Sequence, residues 1–143
     1  MQEILFICTG NYYRSRFCEL FFNHLVADSD LAFRAFSRGL RVLETKTINS
    51  GPISRHTINY LSHLRIEPQE DFRYPIQMEE EDLLKASMII ALDKEEHYPM
   101  VQDQYPDWLE RIDFWSFPDD YIVQADQVLP RMEERVRDLI ISL

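Results

Sequence analysis

Cysteine is scarce in this sequence, with 2 residues among 143. Two cysteines, one of which we interpret below as a free nucleophile, cannot form a disulfide framework, and this favours a reducing compartment. The first residues lead into an apolar segment without a basic start, a long apolar run or a small-residue cleavage site. Neither secretion nor membrane insertion is therefore indicated, and we expect a cytoplasmic protein that does not bind a membrane.

Basic residues are also in the minority, since 15 Lys and Arg stand against 25 Asp and Glu, a formal net charge of −10. Nucleic-acid backbones are bound by clustered Lys and Arg, so a nucleic acid is not expected as the partner. The charge is uneven: residues 1–65 hold eight basic and five acidic residues, and residues 66–143 hold seven and twenty. We infer that the opening of the binding site is locally positive on an otherwise acidic protein, and that it would attract a small anionic group.

The sequence has no repeat or low-complexity segment, and 45% of its residues are hydrophobic. This length and composition predict one domain, residues 1–143, that buries a real core. Apolar or alternating runs predict four β-strands, at 3–7, 32–37, 86–92 and 112–115. Helical spacing after the first strand and at the end of the chain completes a small doubly wound α/β fold, with four parallel strands and helices on both faces.

Cys8 stands at the carboxyl end of the first predicted strand, and the turn Gly10-Asn11 follows it. Ligands of open α/β sheets bind beyond the carboxyl ends of the strands. Gly10 accepts positive φ freely and Asn11 tolerates it, so successive N–H groups could turn inward around an anion. Arg14 precedes a predicted helix whose amino end adds positive potential, and its planar fork matches two phosphate oxygens. This segment therefore predicts a phosphate-binding loop.

A thiol in such a positive field becomes reactive. Cysteine pKa values fall from about 8.5 to roughly 3.5–7.5 in such surroundings, which produces a thiolate at neutral pH. A lone cysteine near a strand end is more often a core residue, but the strand, the Gly-Asn turn, the arginine and the helix together favour catalysis. We predict Cys8 as the nucleophile. The predicted phosphate-binding residues are Thr9, Gly10, Asn11, Tyr12, Tyr13, Arg14 and Ser15.

Asp119 and Asp120 follow the fourth predicted strand, in a loop that begins after Trp115. If the sheet is parallel, this loop lies at the same edge as Cys8. A leaving phenolate needs a proton, and a carboxylic acid at that edge could supply it, a contribution of roughly 10²–10⁴ in rate. Asp120 would point away or raise the pKa of its neighbour by like-charge repulsion. A solvated turn is the alternative explanation for this pair.

These two segments resemble the low-molecular-weight protein tyrosine phosphatases. That family carries Cys-x-Gly-Asn-x-Cys-Arg-Ser-Pro near its amino end and Asp-Pro-Tyr near its carboxyl end. The corresponding stretches here are Cys8-Thr9-Gly10-Asn11-Tyr12-Tyr13-Arg14-Ser15-Arg16 and Asp119-Asp120-Tyr121. Three residues depart from the family pattern: Tyr13 replaces the second cysteine, Arg16 replaces the first proline, and Asp120 replaces the second.

The resemblance implies a metal-independent phosphomonoester hydrolase without a cofactor, which acts on a phosphotyrosine protein or a small aryl phosphate through a cysteinyl-phosphate. It places Asp119 at the general-acid position, with Cys8 and Arg14 as its catalytic partners. Tyr121 is similar to the residue that stacks on the substrate ring, and Tyr12 is a second expected ring contact. The residues expected to support the loop are Ser15, as a donor to the thiolate, and Ser37, as a partner of Asn11.

Two other functions stay open. A catalytically weakened phosphate- or phosphotyrosine-binding protein is the nearer alternative, because Tyr12 and Tyr13 could overhang the pocket and Asp120 breaks the acid motif. Arsenate reduction, known in relatives of this fold, needs thiols downstream of the loop, and the last cysteine here is Cys18. We interpret Cys18 as a core residue of the first helix, without an assigned redox role.

No metal site is predicted. His56 and His63 could share a helix face, but no carboxylate or cysteine completes a ligand set with them. The segment 67–77, with Pro68 and Pro75, is a polar connector to which the sequence assigns no chemistry.

Overall fold

Four parallel strands form one sheet in the order β2-β1-β3-β4 in the computed structural model, which describes residues 1–67 and 71–143. The strands are β1 (Gln2–Cys8), β2 (Phe33–Gly39), β3 (Met88–Ala91) and β4 (Ile112–Phe114). The predicted α/β fold with four parallel strands is confirmed. Pro68 of the predicted connector lies outside the described residues.

Six α-helices and one 3-10 helix connect and flank the described strands. They are α1 (Arg14–Val26), α2 (Val42–Thr45), α3 (Arg55–His63), α4 (Glu80–Lys85), α5 (Lys94–Gln104), the 3-10 helix Pro106–Arg111 and α6 (Ala125–Ile141). Ser54 caps α3 by accepting a hydrogen bond from the His56 N–H, and Asp93 caps α5 by accepting from the Glu96 N–H. Residues 40–53, which follow β2, contain the short helix α2. Among the described residues, no helix combines the length and apolarity that crossing a bilayer requires.

The apolar run of β1 is buried on both faces, as expected for a central strand. Ile4 and Phe6 face a core built mainly with α1, α3 and α6, whereas Leu5 and Ile7 face a second core with α4 and α5. Full burial of each such side chain contributes about 1.5–3 kcal/mol of hydrophobic free energy. Because both faces are covered, the binding site has to lie at an end of the sheet.

The carboxyl ends of the strands meet at one edge. Cys8 ends β1 and is in register with Gly39 at the end of β2. The chain that leaves β4 stays beside the chain that leaves β3: the Trp115 N–H bonds to the Ala91 carbonyl at 2.9 Å, and the Phe117 N–H to the Leu92 carbonyl at 2.8 Å. These bonds anchor the start of the loop that carries Asp119 at the edge where β1 delivers Cys8.

Candidate active site

The segment between β1 and α1 forms a tight loop at this edge. Asn11 has a φ of 51°, the left-handed conformation that asparagine adopts more readily than most residues. Gly10, by contrast, is not among the positive-φ residues, so that expectation was wrong. A Cβ at this position would lie 2.8 Å from Asn49 Nδ2 and 2.9 Å from Thr45 Oγ1, so a larger residue would require these two side chains to shift.

The buried Asn11 side chain ties the loop to the rest of the molecule. Its Nδ2 donates to Ser15 Oγ at 2.8 Å and to Ser37 Oγ at 2.9 Å. Its Oδ1 accepts from Arg73 Nη1 and from the Ile76 N–H, both at 3.0 Å. All four hydrogen bonds that an asparagine amide can make are therefore formed. The bond to Ser37 is the contact that the resemblance implied.

Cys8 lines the cavity, and Ser15 lies directly behind it. Cys8 is 2% exposed, and its Sγ lies 2.9 Å from Ser15 Oγ. Because Ser15 Oγ already accepts from Asn11, its hydroxyl hydrogen remains for the Cys8 sulfur. Asn11 and Ser15 thus lie behind the cavity and support the loop.

The Arg14 guanidinium is buried and held from several sides. Nη1 donates to Glu96 Oε1 at 3.1 Å and to the Phe117 carbonyl at 2.9 Å. Nη2 donates to Glu96 Oε2 at 2.6 Å and lies 3.4 Å from Asp119 Oδ2. Nε has no hydrogen-bond partner among the described residues. The arginine is therefore fixed in place, and its buried Nε–H is left unpaired among the described residues.

Sequence reasoning missed the support behind Arg14. His97 is fully buried, and its Nδ1 accepts from the Asp93 N–H at 3.0 Å, so Nε2 carries the ring hydrogen. That nitrogen lies 3.1 Å from Glu96 Oε2 and 3.1 Å from Thr9 Oγ1, and Thr9 also donates to Glu96. Burial lowers the pKa of His97 despite the hydrogen bond to Glu96, which keeps the ring neutral.

The Glu96 carboxylate stays ionised in this setting. Burial opposes its charge, but hydrogen bonds from His97 and Arg14 and the charge of Arg14 outweigh burial and hold its pKa well below the ordinary range. The sequence signal for this residue was weak, since an acidic first turn is usual for any helix that begins at an aspartate cap. Only the position of α5 directly after β3 indicated that the turn lies near the site.

Asp119 lies opposite Cys8's loop with its side chain 27% exposed. Burial raises its pKa above the ordinary value, although Arg14 and the Asp120 N–H, which donates to Asp119 Oδ1 at 2.8 Å, act in the other direction. The charges of Glu96 and Asp120 add to the increase. The Asp120 carboxylate itself lies 3.8 Å from His56 Nε2.

A cavity of about 340 Å³ collects most of the predicted residues. Cys8, Arg14 and Asp119 all line it. Of the predicted loop residues, Thr9, Gly10, Tyr12 and Tyr13 line it as well, together with Tyr121 and the unpredicted Glu96. The geometry therefore brings a thiol, a cation and a carboxyl group to one small opening.

The three tyrosines occupy different depths. Tyr121 is 78% exposed at the rim, whereas Tyr12 is half-buried and its hydroxyl donates to the Ser50 carbonyl. The binding-protein alternative required the Tyr13 ring to overhang the pocket. The ring does not do so, because Tyr13 is 4% exposed and packs edge-on against His56. Its hydroxyl lacks a hydrogen-bond partner among residues 1–67 and 71–143, and burial raises its pKa.

Arg16, which replaces the family proline, is a buried brace beneath the loop. Its guanidinium donates to the carbonyls of Pro52 at 2.9 Å, Arg73 at 2.8 Å and, more weakly, Asn11 at 3.4 Å. Burial and the charge of Arg73 lower its pKa to about 10, so it stays charged at neutral pH. Arg73 also pairs with Glu19 at 3.0 Å, and the connector to which we assigned no chemistry therefore supports the loop.

Replacing Arg16 by methionine is expected to lower the free energy of unfolding by about 2–4 kcal/mol, because buried carbonyl groups lose their donor. Chemical denaturation followed by circular dichroism measures this. Arg34→Met, at an exposed position of β2, is the matched control and should change stability by less than about 0.5 kcal/mol. Equal stability of the two variants would show that Arg16 is not a brace.

The second cysteine does not line the cavity. Cys18 is fully buried in α1, and burial raises its pKa well above the ordinary value. Both cysteines are free thiols. This placement agrees with Cys18 as a core residue.

The family model described as low molecular weight phosphotyrosine protein phosphatase matches residues 3–143. A comparison with curated protein sequences gives no significant match.

Solved structures show the same fold. The low molecular weight protein tyrosine phosphatase from T. tengcongensis is 21% identical, with 100% of both chains covered and a TM-score of 0.80. SP-PTP, from Streptococcus pyogenes, is also 21% identical, with 100% of this chain and 93% of that chain covered and a TM-score of 0.82. The YwlE arginine phosphatase of Bacillus subtilis is 20% identical, with 99% and 95% covered and a TM-score of 0.77. With a family match over nearly its whole length, the chain belongs to the low molecular weight phosphotyrosine protein phosphatases.

Proposed function

We propose that the protein hydrolyses phosphotyrosine on protein substrates through a cysteinyl-phosphate intermediate. One observation carries this proposal: Cys8, Arg14 and Asp119 line one cavity, with Ser15 Oγ 2.9 Å from the sulfur. The site lies where the phosphate-binding loop, the amino end of α1 and Arg14 provide positive potential for an anion.

In the first step, the Cys8 sulfur attacks phosphorus and forms the S–P bond while the bond from phosphorus to the phenolic oxygen breaks. Asp119 donates its proton to the leaving oxygen. Loop N–H groups and Arg14 bind the equatorial oxygens, whose charge they stabilise in the transition state. Ser15 supports the sulfur as a hydrogen-bond donor before the attack.

In the second step, water attacks the cysteinyl-phosphate and the S–P bond breaks. Asp119, now ionised, accepts the proton from that water, and the electron pair of the broken bond returns to the sulfur. Phosphate leaves and the free enzyme is restored. Asp119 thus acts first as an acid and then as a base.

The proposed preference for an aryl phosphate rests on two tyrosines at the opening of the cavity. Tyr121 is largely exposed beside the cavity, and Tyr12 stands on the loop at its opening. Aromatic pairs of this kind contribute about 0.5–1.5 kcal/mol beyond burial when a second ring stacks between or against them. A phosphotyrosine ring would have these two partners.

Asp119→Ala is expected to reduce kcat for phenyl phosphate by roughly 10²–10⁴, because the phenolate then leaves without a proton. The loss should be smaller for 4-nitrophenyl phosphate, whose leaving group is stable as an anion. In the wild type, kcat/KM for phenyl phosphate should fall as pH rises through the elevated pKa of Asp119, since the acid form is lost there.

The pH-rate profile of Asp119→Ala should lack that alkaline fall. Asp120→Asn is the matched control and should keep both the fall and most of the rate. An unchanged profile in Asp119→Ala would exclude Asp119 as the acid. Oxyanion binding without hydrolysis of any aryl phosphate by the wild type would favour the binding-protein alternative.

A second candidate substrate is phosphoarginine, the substrate class indicated by the name of the YwlE phosphatase. A specific observation supports it here: three carboxyl groups, from Glu96, Asp119 and Asp120, line the cavity and could face a substrate guanidinium. Steady-state kinetics with matched phosphotyrosine and phosphoarginine peptides distinguishes the two. We expect higher kcat/KM for phosphotyrosine, and the reverse order would assign the arginine substrate.

A further inference from the structure

Glu96 and Phe117 already accept hydrogen bonds from the Arg14 guanidinium, and its remaining N–H bonds show how a phosphoryl group can bind beside them. A guanidinium has five N–H bonds. Both hydrogens of Nη1 are used, by Glu96 Oε1 and the Phe117 carbonyl, and one hydrogen of Nη2 is used by Glu96 Oε2. The second Nη2 hydrogen makes no hydrogen bond with the described residues, although Asp119 Oδ2 lies 3.4 Å from Nη2, and Nε–H is also without a partner among them.

An arginine can bind two oxygens of an oxyanion at either of two pairs of parallel N–H bonds, or forks. The end fork, formed by Nη1 and Nη2, is taken by Glu96. The side fork is formed by Nε–H and the second Nη2 hydrogen, which point in the same direction, and a phosphate can bind it through two oxygens. In the free protein the Asp119 carboxylate lies beside this side fork, as an ion pair 3.4 Å from Nη2.

Asp119 is the weakest of the groups that contact Arg14. Its Oδ2 lies 3.4 Å from Nη2, compared with 2.6 Å for Glu96 Oε2, and its side chain is 27% exposed compared with 13% for Glu96. Glu96 is also held by His97 and Thr9. An arriving oxyanion therefore meets a fixed guanidinium whose most easily replaced partner is Asp119.

We propose that a bound phosphoryl group replaces Asp119 on Arg14 Nη2, and that the displaced carboxyl group takes up the proton that it later donates to the leaving group. This inference deepens the proposed function and rests on it. Glu96 has the role of a positioning residue, since it keeps Arg14 in place while its other partner changes.

The charges around Asp119 favour this proton uptake. Arg14, from α1, is the group whose cation stabilises the ionised carboxylate. When phosphate takes Arg14, Asp119 still faces Glu96 of α5, the neighbouring Asp120, the Tyr13 ring and the oxyanion itself. His56 of α3 lies next to Asp120. The remaining charged neighbours are mostly negative, so the neutral acid becomes the preferred form.

The inference is tested by proton uptake on anion binding. The probe is sulfate, a tetrahedral dianion that does not titrate near pH 6, and the protein is Cys8→Ser, which removes the thiol as a proton acceptor. Calorimetry in two buffers of different ionisation enthalpy gives the number of protons exchanged. We expect net uptake that approaches, but does not exceed, about one proton per sulfate.

The double variant Cys8→Ser/Asp119→Asn should bind sulfate without proton uptake and roughly fivefold more tightly, because the competing carboxylate is gone. Cys8→Ser/Asp138→Asn, at an exposed position of α6 that does not line the cavity, is the matched control and should keep the uptake. Sulfate binding without uptake in Cys8→Ser, or weaker binding in the Asp119→Asn double variant, would overturn the displacement.

The two proposals fail differently. If Cys8→Ser does not bind sulfate at all, the phosphate site itself is wrong and both proposals are lost. If wild type does not hydrolyse aryl phosphates but sulfate binding takes up a proton, the turnover proposal fails and the displacement holds. If hydrolysis proceeds but no proton is taken up, only the displacement fails.

Discussion

Replacing Cys8 by serine should lower the rate of phosphotyrosine hydrolysis by about 10⁴-fold or more. The sulfur is the atom to which the phosphoryl group is transferred, and a serine hydroxyl in the same position has neither its nucleophilicity nor a neighbouring base to activate it. Because the loop N–H groups and Arg14 are unchanged, the variant should still bind phosphate. Kinetics with a phosphotyrosine peptide, together with phosphate titration, measures both quantities.

Cys18→Ala is the matched control, since Cys18 is buried in α1 and does not line the cavity. It should hydrolyse the same peptide at a rate close to that of the wild type. Hydrolysis at a similar rate by Cys8→Ser and the wild type would exclude the sulfur as the nucleophile.

The second large effect is expected for Arg14→Lys, which should lower kcat/KM by roughly 10³-fold. Lysine keeps the charge but replaces a planar fork by one point charge, so two-oxygen binding of phosphate is lost. Loss of a single preorganised donor to transition-state charge costs about 10²–10³ in kcat. Glu96 also loses the guanidinium from which it accepts two hydrogen bonds, so the cation is held less firmly.

Arg34→Lys, at an exposed position of β2, is the control for this change and should leave the rate unaltered. A fall in kcat/KM of less than tenfold in Arg14→Lys would mean that the arginine provides charge alone. In that case the fork geometry would have no part in catalysis.

The parts of the site that the sequence predicted are local in the chain. Cys8, Asn11 and Arg14 lie within seven positions, and their arrangement follows from one strand, one turn and one helix start. The strand that ends at Cys8 was equally clear, because four consecutive apolar residues suit a strand buried on both faces. Asp119 was reached through sheet topology, since parallel strands end at one edge.

The parts that were missed depend on contacts between distant segments. Glu96 lies 82 positions from Arg14, and in the sequence it is one of two acidic residues in an ordinary helix start. Arg73 lies 62 positions from Asn11 in a polar connector without periodicity. A pattern within one segment cannot show which distant carboxylate or guanidinium will fold against it.

Tyr13, whose place was misjudged, and Arg16, for which no place was predicted, show how burial overrides residue type. Tyr13 suggested a ring at the rim, but its side chain packs into the core beside His56. Arg16 would ordinarily be expected at the surface, since a charged side chain is rarely buried without partners. Three backbone carbonyls from separate segments supply those partners, and the sequence does not reveal that they converge.

The central claim is that a phosphoryl group passes through the Cys8 sulfur. Rapid acid quench of the wild type during turnover of 4-nitrophenyl phosphate, followed by mass spectrometry of the peptides, tests it most directly. We expect one phosphoryl group on the peptide that contains Cys8 and none on that peptide in Cys8→Ala, which has no atom at this position that could accept it. Full turnover with that peptide unmodified at every quench time, or with the phosphoryl group on another residue, would contradict the mechanism.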